Sequence, residues 1–274
     1  MLDARMEARF RMWAERGGQL RLEPTERRVR AVLGGVTIVD SKRAQLLFLP
    51  PPFNTYVFPR DDLRSDSMKQ AGTDGVLPGL GATKRWTVEA GGKIAENAAW
   101  SVADPPPGLE ALSGMVALRW NLMDHWYEED DEVFVHPRDP YHRVDVLNSS
   151  RHVKVMVGPD VVAETDRARL LFETSLPVRY YIPRADITMD LLEPTTTITR
   201  CPYKGVATYW SVRAGGTSHQ DLAWSYEQPI PECPKIEKLI AFFNERVDLE
   251  VDGERQERPQ TPWSEPPPAF EAAR

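Results

Sequence analysis

The stretch TITRCPYKGVATYW, residues 197–210, contains the side chains best suited to covalent chemistry. A thiolate beside an ammonium group is an activated nucleophile, so Cys201 and Lys204 are candidates for nucleophilic catalysis. Free cysteines are commonly buried and inert, and the competing interpretation is a half-buried Cys201 with Lys204 in water, which we favour. The Cys-x5-Arg pattern of phosphatases is absent, because Ala207 stands at the arginine position.

Aromatic side chains form a second candidate site in the same part of the chain. The rings belong to Tyr180, Tyr181, Tyr203, Tyr209, Trp210, Trp224 and Tyr226. A tyrosine combines apolar area with a polar tip, which suits the wall of a small-molecule pocket. Since successive residues of a strand face opposite sides, Tyr209 and Trp210 are predicted to lie on opposite faces of a sheet.

Two further candidates are built from charged residues. Arg184 could bind an anionic ligand, or Asp186 two residues later could cap a following helix, and we favour the cap. The segment HPRDPYHRVD, residues 136–145, offers four residue types that bind metals, namely His136, Asp139, His142 and Asp145. Its prolines prevent a shared helical face, so we expect a linker that holds two domains together and no metal.

Charge and missing motifs exclude several classes of function. The net charge of -7, with RRVR at 27–30 as the longest basic run, argues against a nucleic-acid partner. A charged beginning and the lack of a long apolar run predict a cytoplasmic protein with no membrane partner. Two cysteines without a Cys-x-x-Cys pair provide no zinc knuckle. GVLPGLGATK lacks the Gly-Lys-Ser/Thr of a phosphate loop, and no Gly-x-Ser-x-Gly is present, so no cofactor is indicated.

The chain contains a long internal repeat at an offset of 124 residues. Residues 27–101 align with residues 151–225 without a gap, and 24 of the 75 pairs are identical. This period is far longer than the roughly 20 to 50 residues of solenoid repeats, so it indicates two whole domains that arose by duplication. We predict that the copies share one fold, with Trp86 at the place of Trp210 and Trp100 at the place of Trp224. Because both copies have these tryptophans, we expect them in the core.

The turn CPYKG, residues 201–205, corresponds to LPGLG, residues 77–81. The shared proline and glycine serve the backbone, whereas Cys201, Tyr203 and Lys204 are specific to the second copy. We therefore predict a pocket lined by these three residues on the second domain, with the lysine at its rim. Leu77, Gly79 and Leu80 are predicted to fill or flatten the equivalent place on the first domain.

Short β-branched and aromatic runs, separated by turn residues, predict a mainly β protein. We expect two tandem homologous antiparallel β domains, each a sandwich or open barrel with one or two short helices, including one in ADITMDLL and one in KIEKLIAFFN. The predicted boundaries are an amphipathic helix at 1–20, the first domain at 21–135, a linker at 136–145, the second domain at 146–257 and an extended or disordered proline-rich tail at 258–274.

The segments RLLFETSLPVRYYIPRADI, TTTITRCPYKGVATYWSV and DLAWSY resemble a bacterial family catalogued as a domain of unknown function, family 427, sometimes labelled nucleotidyltransferase-like. The resemblance covers residues 21–137 and 141–257. Its Cys-Pro-x-Lys-Gly turn falls on residues 201–205, and its Tyr-Trp and Ala-Trp-Ser-Tyr strands fall on 209–210 and 223–226. The resemblance implies a compact β domain of the β-tent type, in which small molecules bind in aromatic pockets between two sheets, or cysteine pairs bind zinc. This chain lacks such pairs, and its first copy departs from the turn pattern.

These observations favour a small-molecule-binding module whose pocket lies in the second domain. The predicted binding residues are Tyr181, Arg184, Cys201, Tyr203, Lys204, Tyr209 and Trp224. One alternative is an enzyme that uses Cys201 as nucleophile, or Lys204 and Arg184 to orient a phosphate-bearing substrate. The other alternative is a protein-interaction scaffold. Enzyme ranks below binder because the sequence places no pair of groups for acid–base work.

Overall fold

The computed structural model describes residues 20–49, 54–71, 75–77 and 79–264. The chain forms two compact units that divide between Asp139 and Pro140. The helix predicted at the start of the chain lies outside the described residues. Among the residues that are described, no helix has the length and apolar character needed to cross a membrane.

The first domain is built from two antiparallel sheets. Its strands are β1 (Arg21–Pro24), β2 (Val29–Leu33), β3 (Val36–Ser41), β4 (Gln45–Phe48), β5 (Thr55–Pro59), β6 (Met68–Gln70), β7 (Gly75–Leu77), β8 (Gly81–Ala90), β9 (Lys93–Val102), β10 (Met115–Leu118), β11 (His125–Glu128) and β12 (Asp131–Glu132). The large sheet has the order β1-β4-β5-β10-β9-β8-β6, with β7 also paired to β8. The small sheet has the order β12-β11-β2-β3.

The second domain repeats this construction. Its strands are β13 (Val144–Asn148), β14 (Val153–Val157), β15 (Asp160–Thr165), β16 (Arg169–Glu173), β17 (Arg179–Ile182), β18 (Leu192–Cys201), β19 (Gly205–Ala214), β20 (Thr217–Pro229), β21 (Ile240–Phe242), β22 (Asp248–Val251) and β23 (Glu254–Arg255). The large sheet has the order β13-β16-β17-β21-β20-β19-β18, and the small sheet has the order β15-β14-β22-β23.

The two domains share one topology and one register, as the gapless repeat predicts. Trp86 lies opposite Ala99 in the β8–β9 ladder, and Trp210 lies opposite Ala223 in the β19–β20 ladder. Trp100 and Trp224 likewise occupy the same place in β9 and β20. The single strand β18 corresponds to two short strands, β6 and β7, in the first domain. The mainly β fold and the tandem duplication are therefore confirmed.

Each domain buries apolar side chains on both faces of its large sheet. One core lies between the large and the small sheet. A second cluster lies on the opposite face of the large sheet and is formed by the alternate residues of the same strands. Leu46 and Leu47 of β4, for example, belong to different cores, as strand alternation requires. We call the cluster on the face away from the small sheet the far core. Three of the four tryptophans predicted in the core, Trp86, Trp100 and Trp224, are each at most 9% exposed. The fourth, Trp210, is partly buried and packs against the core between the sheets.

The helix predicted in KIEKLIAFFN is wrong. Residues Pro234–Ile236 form a single 3-10 turn, Lys238 has a positive φ of 59°, and Ile240–Phe242 form strand β21. This strand is paired on both sides, with β17 and with β20, and all three of its residues are buried. A short apolar run buried on both faces has no period that separates strand from helix, which is why the sequence pattern misleads.

Helical structure in the described residues consists of 3-10 turns. They are Arg60–Asp62, Ser65–Ser67, Glu110–Leu112, Trp120–Leu122, Arg184–Asp186, Met189–Leu191 and Pro234–Ile236. The short helix predicted in ADITMDLL is present as the two turns at 184–186 and 189–191.

Both ends of the second domain extend beyond the predicted boundaries. Strand β13 begins at Val144, inside the segment predicted as a linker. At the other end, Trp263 is partly buried and packs against the far core, and Thr261 Oγ1 donates a hydrogen bond of 2.5 Å to Glu245. Residues 258–264 are therefore packed on the domain, where the sequence pattern predicts an extended or disordered tail. Residues 265–274 lie outside the described residues.

Candidate functional site

The turn between β18 and β19 positions the candidate chemistry. Cys201 pairs with Gly205 at the end of the ladder, and the Lys204 carbonyl accepts a hydrogen bond of 3.1 Å from the Ile230 amide. Gly205 has φ of +105°, and a Cβ there would lie only 3.3 Å from the Ile230 nitrogen. The glycine is therefore required by this backbone, as the repeat predicts. Lys204 has 8% exposure, so its side chain points into the domain.

Lys204 forms a buried ion pair with Glu173, the last residue of β16. Its Nζ lies 2.6 Å from Glu173 Oε2, and the two side chains are 10% and 6% exposed. His142 Nε2 lies 2.9 Å from the other carboxylate oxygen, Oε1. The His142 ring stacks on Tyr203, with ring centres 4.0 Å apart and an interplanar angle of 18°. We call His142, Glu173, Cys201, Tyr203 and Lys204 the polar cluster.

Both members of the ion pair are charged. Burial alone would raise the pKa of Glu173, but the Lys204 charge and the bonds from His142 and Lys204 lower this pKa to about 2. Burial works against the Lys204 ammonium as well, yet Cys201 and Glu173 hold the pKa of Lys204 above its ordinary value. The cluster therefore contains the Glu173–Lys204 ion pair and, beside it, the stacked rings of His142 and Tyr203. Because Lys204 is charged, it is not an amine that could serve as a base.

Behind the polar cluster, the far core of the second domain is aromatic. Trp224 Nε1 donates a hydrogen bond of 3.1 Å to the Tyr181 hydroxyl, and the two rings meet edge to face. Burial raises the pKa of Tyr181 and that of Tyr226 well above the ordinary value. Cys233 is 2% exposed, and burial raises the pKa of its thiol to about 11, although Lys204 opposes this. Cys233 is therefore a buried, protonated thiol.

A second buried ion pair lies on the same face. Arg179 donates two hydrogen bonds of 2.7 Å to Glu245, and the side chains are 7% and 0% exposed. The guanidinium lies 5.5 Å from the Trp224 ring and 5.9 Å from Phe243 and Trp263. Burial would raise the pKa of Glu245, but the bonds from Arg179 keep this pKa below its usual value. The two charges compensate each other, and the two hydrogen bonds tie the turn after β21 to strand β17.

Six of the seven predicted binding residues lie on one face of the second domain. Tyr181, Cys201, Tyr209 and Trp224 belong to its far core, and Tyr203 and Lys204 belong to the polar cluster. The prediction that Lys204 lies at a solvent rim is wrong, because Glu173 compensates its charge inside the domain.

Arg184 is the predicted binding residue that lies elsewhere. Its guanidinium lies 5.3 Å from the Trp210 ring and forms an ion pair with Glu227. Trp210 packs against the core between the sheets, whereas Tyr209 packs against the far core, as strand alternation predicts. Arg184 is thus on the opposite face of the large sheet from Cys201.

Asp186 and its counterpart Asp62 have a structural role, but not as helix caps. Asp186 accepts hydrogen bonds of 2.8 and 2.7 Å from Arg167 and one of 2.6 Å from Thr165. Asp62 makes the same contacts with Arg43 and Ser41. The bonds from Arg167 and Thr165 lower the pKa of Asp186 to about 2. The predicted helix cap is therefore wrong: each aspartate instead forms a bidentate ion pair with an arginine, and this pair recurs in both domains.

The side chains of the predicted linker have separate partners. His136 Nδ1 lies 2.7 Å from the Pro137 carbonyl, Asp139 contacts Asn54, and Asp145 forms an ion pair with Arg143. His142 belongs to the polar cluster. Across residues 20–49, 54–71, 75–77 and 79–264, no group of three His, Cys, Asp or Glu side chains is arranged to hold a metal ion.

Sequence reasoning missed Glu173, Arg179 and Glu245, and it assigned His142 to a linker. The repeat contains the signal for Glu173, because Leu49 stands at the matching position of the first copy. Arg179 likewise replaces Thr55. Glu245 follows strand β21, which was predicted as a helix. Because the element was wrong, the direction of the Glu245 side chain could not be predicted.

The first domain has an aliphatic far core at the same place. Leu80, at the position of Lys204, is 2% exposed, and Leu49 and Leu77 pack against the same cluster. Gly79, with φ of +77°, replaces Tyr203. Leu77 and Leu80 therefore pack at this place, whereas Gly79 is exposed and contributes no side chain.

Two clefts in the structure lie away from the polar cluster. One, of about 540 Å³, is lined by Asp248 and residues 255–258. The other, of about 420 Å³, lies on the first domain and includes Lys69, Thr87 and Asn97. A ligand at the polar cluster would contact its partly exposed members, His142, Cys201 and Tyr203.

The duplication is also visible in a comparison with known families. A family described as a domain of unknown function, DUF427, matches the chain twice, at residues 21–129 and 145–253. The two matched segments coincide with the two β domains and together cover most of the chain. No curated protein matches the sequence.

Proposed function

This chain belongs to the DUF427 family, and we propose that its second domain binds a small molecule at the polar cluster while its first domain is structural. The ligand contacts Cys201, Tyr203 and His142, the partly exposed members of the cluster. The buried Glu173–Lys204 pair fixes the orientation of the ligand from the interior side. Stacking on the aromatic rings and hydrogen bonding to a fixed charge pair are the usual means of small-molecule recognition.

One observation carries this proposal: the polar cluster is present in one copy of a duplicated fold and replaced by aliphatic residues in the other. Leu49 and Leu80 stand where Glu173 and Lys204 form their ion pair. Two domains with one topology share what the fold needs, and they can differ where only one keeps a ligand. Burying two charges costs free energy, so a domain that needed only to fold would not be expected to keep this ion pair.

The experiment is native mass spectrometry of the full chain purified from its own host. We expect a bound adduct on the wild type and its loss in Cys201→Leu/Tyr203→Gly, which installs the first-domain residues. Ile198→Ala is the matched control, because this residue is 54% exposed on the same strand as Cys201. An adduct that persists in the double variant, or no adduct on the wild type, contradicts the proposal and favours the interaction scaffold.

An enzyme with Cys201 as nucleophile is the second candidate, and the ammonium of Lys204 three residues away is the observation that favours it. Cys233 provides an internal reference, because its thiol is buried and its pKa is raised to about 11. Alkylation with iodoacetamide at neutral pH separates the two candidates. A Cys201 that reacts far faster than a free thiol supports the enzyme, and a slow Cys201 supports the binding module.

We further propose that the protein acts in the bacterial cytoplasm and that each domain is of the β-tent type. Two free cysteines and an acidic, soluble composition support the location. Two antiparallel sheets of unequal size around a shared core support the fold type. Cell fractionation of the host, probed for the chain, tests the location: recovery in the periplasmic or membrane fraction would contradict it.

A further inference from the structure

Three strong cations lie near the far core of the second domain, and two of them are fully compensated. Glu173 neutralises Lys204, and Glu245 neutralises Arg179 through two hydrogen bonds. The third cation is Arg246, which directly follows Glu245 in the turn after β21. Within the described residues, no carboxylate oxygen lies within ion-pair distance of its guanidinium.

The contacts of Arg246 hold its side chain without cancelling its charge. Its guanidinium carbon lies 4.1 Å from the centre of the Phe243 ring, and one terminal nitrogen donates a hydrogen bond of 3.0 Å to the Asp221 carbonyl. Its Nε is buried and has no acceptor among the described residues. Burial lowers the pKa of Arg246, although Glu245 and Asp221 oppose this. A partly buried guanidinium without a carboxylate partner binds an oxyanion strongly.

The nearest acidic side chain, Asp221, is already engaged. Its two carboxylate oxygens accept hydrogen bonds of 2.7 and 2.8 Å from Thr195 and Thr197. Asp221 also has a positive φ of 48°, in the irregular part of the β19–β20 ladder that turns its carbonyl toward Arg246. Asp221 therefore positions Arg246 through its backbone, while its carboxylate is directed toward strand β18.

Tyr209 connects Arg246 with the polar cluster. Its hydroxyl lies 2.9 Å from Thr199 Oγ1, and its ring packs in the far core beside Cys201. The Arg246 guanidinium lies over the ring of Phe243, which belongs to the same far core as Tyr209 and Cys201. Burial raises the pKa of Tyr209, although the hydrogen bond with Thr199 and the charge of Arg246 oppose this. Arg246, Tyr209 and Cys201 thus lie along one face of the second domain.

Among the described residues of the first domain, no partly buried cation stands at this place, because Arg119 in the corresponding turn is exposed. The turn after β10 contains Trp120, Leu122 and Met123, and all three pack against the core between the sheets. Asn97 replaces Asp221, and Ala71 replaces Thr195. The amide oxygen of Asn97 is left without a partner within the described residues. The arrangement around Arg246 is therefore a second feature that only the second copy has.

We propose that Arg246 binds the anionic group, a carboxylate or a phosphate, of the small molecule held at the polar cluster. This inference rests on the proposed function, and it adds the chemical class of the ligand and the residue that selects it. An oxyanion supplies the negative charge that Arg246 lacks, while Lys204 and Arg179 are unavailable because their own carboxylates bind them.

The first test titrates the full chain with inorganic phosphate and, separately, with acetate, and follows backbone amide shifts by NMR. We expect saturable shifts around Tyr209 and Arg246, and at least tenfold weaker binding in Arg246→Gln, whose amide keeps a donor for the Asp221 carbonyl. Arg213→Gln is the control, because Arg213 is an exposed arginine on the same strand as Tyr209. The tighter anion identifies the phosphate or carboxylate class. Equal binding in Arg246→Gln, or no saturable shift with either anion, overturns the inference.

A second measurement separates this inference from the proposed function. Host-purified Arg246→Gln is compared by native mass spectrometry with Cys201→Leu/Tyr203→Gly, and a denaturant melt confirms that each variant is folded. Loss of the adduct in both variants supports both proposals. An adduct that is lost only from Cys201→Leu/Tyr203→Gly overturns the role of Arg246 and leaves the binding module standing, whereas no adduct on the wild type overturns both.

Discussion

The far cores of the two domains occupy the same place on the same fold and differ in chemistry. The first is built from aliphatic side chains around Trp100, with Leu49, Leu77 and Leu80 beside the turn. In the second, tyrosines, cysteines and two buried ion pairs surround Trp224. Since both domains have the same strand order, the polar residues are not needed to specify the topology.

The difference also has an energetic side. Moving two charges out of water costs several kcal/mol for each ion, and their mutual attraction only offsets this cost. An aliphatic filling of the same space, as in the first domain, avoids the cost. The second domain therefore holds charges that the first domain does without, and the proposed binding site rests on this asymmetry.

The largest expected effect is that of breaking the Glu173–Lys204 pair from one side. Lys204→Met leaves the Glu173 carboxylate buried without its cation, and we expect a loss of about 3–5 kcal/mol in the free energy of unfolding. Trp224→Ala removes a buried aromatic ring and should cost a similar amount, about 3–5 kcal/mol. Urea melts of both variants measure this. A loss below about 1 kcal/mol for Lys204→Met would mean that water reaches and solvates Glu173.

The next effect is a pH dependence that belongs to the second domain. The pKa of Glu173 falls from an ordinary 4.5 to about 2 on folding, so the carboxylate stabilises the fold above pH 4.5 and this contribution is lost as the pH falls through 2. The shift corresponds to on the order of 3 kcal/mol. Urea melts at pH 5 and pH 2 measure it. Glu173→Leu/Lys204→Leu is the control, and the same acid loss in this variant would show that other carboxylates dominate.

A smaller effect should be equal in the two domains. Asp62→Asn and Asp186→Asn each weaken the same ion pair with an arginine, and we expect each to cost about 1 kcal/mol because the arginines are largely exposed. Thermal melts of the two variants and of the wild type compare them. A loss of stability in only one of the two variants would contradict the equal structural role of the two ion pairs.

Much of the fold was readable from the sequence because the repeat is gapless where the strands pair. The tryptophan register, the glycine turns and the division into two β domains all follow from the offset of 124 residues. Strand β21 was not readable, since a short strand buried on both faces has no alternation. The packing of Trp263 was hidden by the prolines around it.

The candidate site was predicted in part. The comparison of CPYKG with LPGLG located the turn, and the opposite directions of Tyr209 and Trp210 followed from strand geometry. The partner of Lys204 could not be deduced from the turn, because Glu173 is 31 positions away and meets it across the large sheet. Arg246 lies beyond residues 151–225, the part of the second copy that the gapless alignment covers.

The most direct test of this account is the stability of Glu173→Leu/Lys204→Leu, which installs Leu49 and Leu80 of the first domain in the second. Replacing a buried ion pair by apolar residues is often neutral or stabilising, so we expect the free energy of unfolding to stay within about 1 kcal/mol of the wild type or to increase. Neither replaced side chain takes part in the stacking of His142 on Tyr203. A loss of about 3 kcal/mol or more, as large as that of Lys204→Met alone, would show that the polar cluster is required by the fold and would contradict the distinction between the two domains.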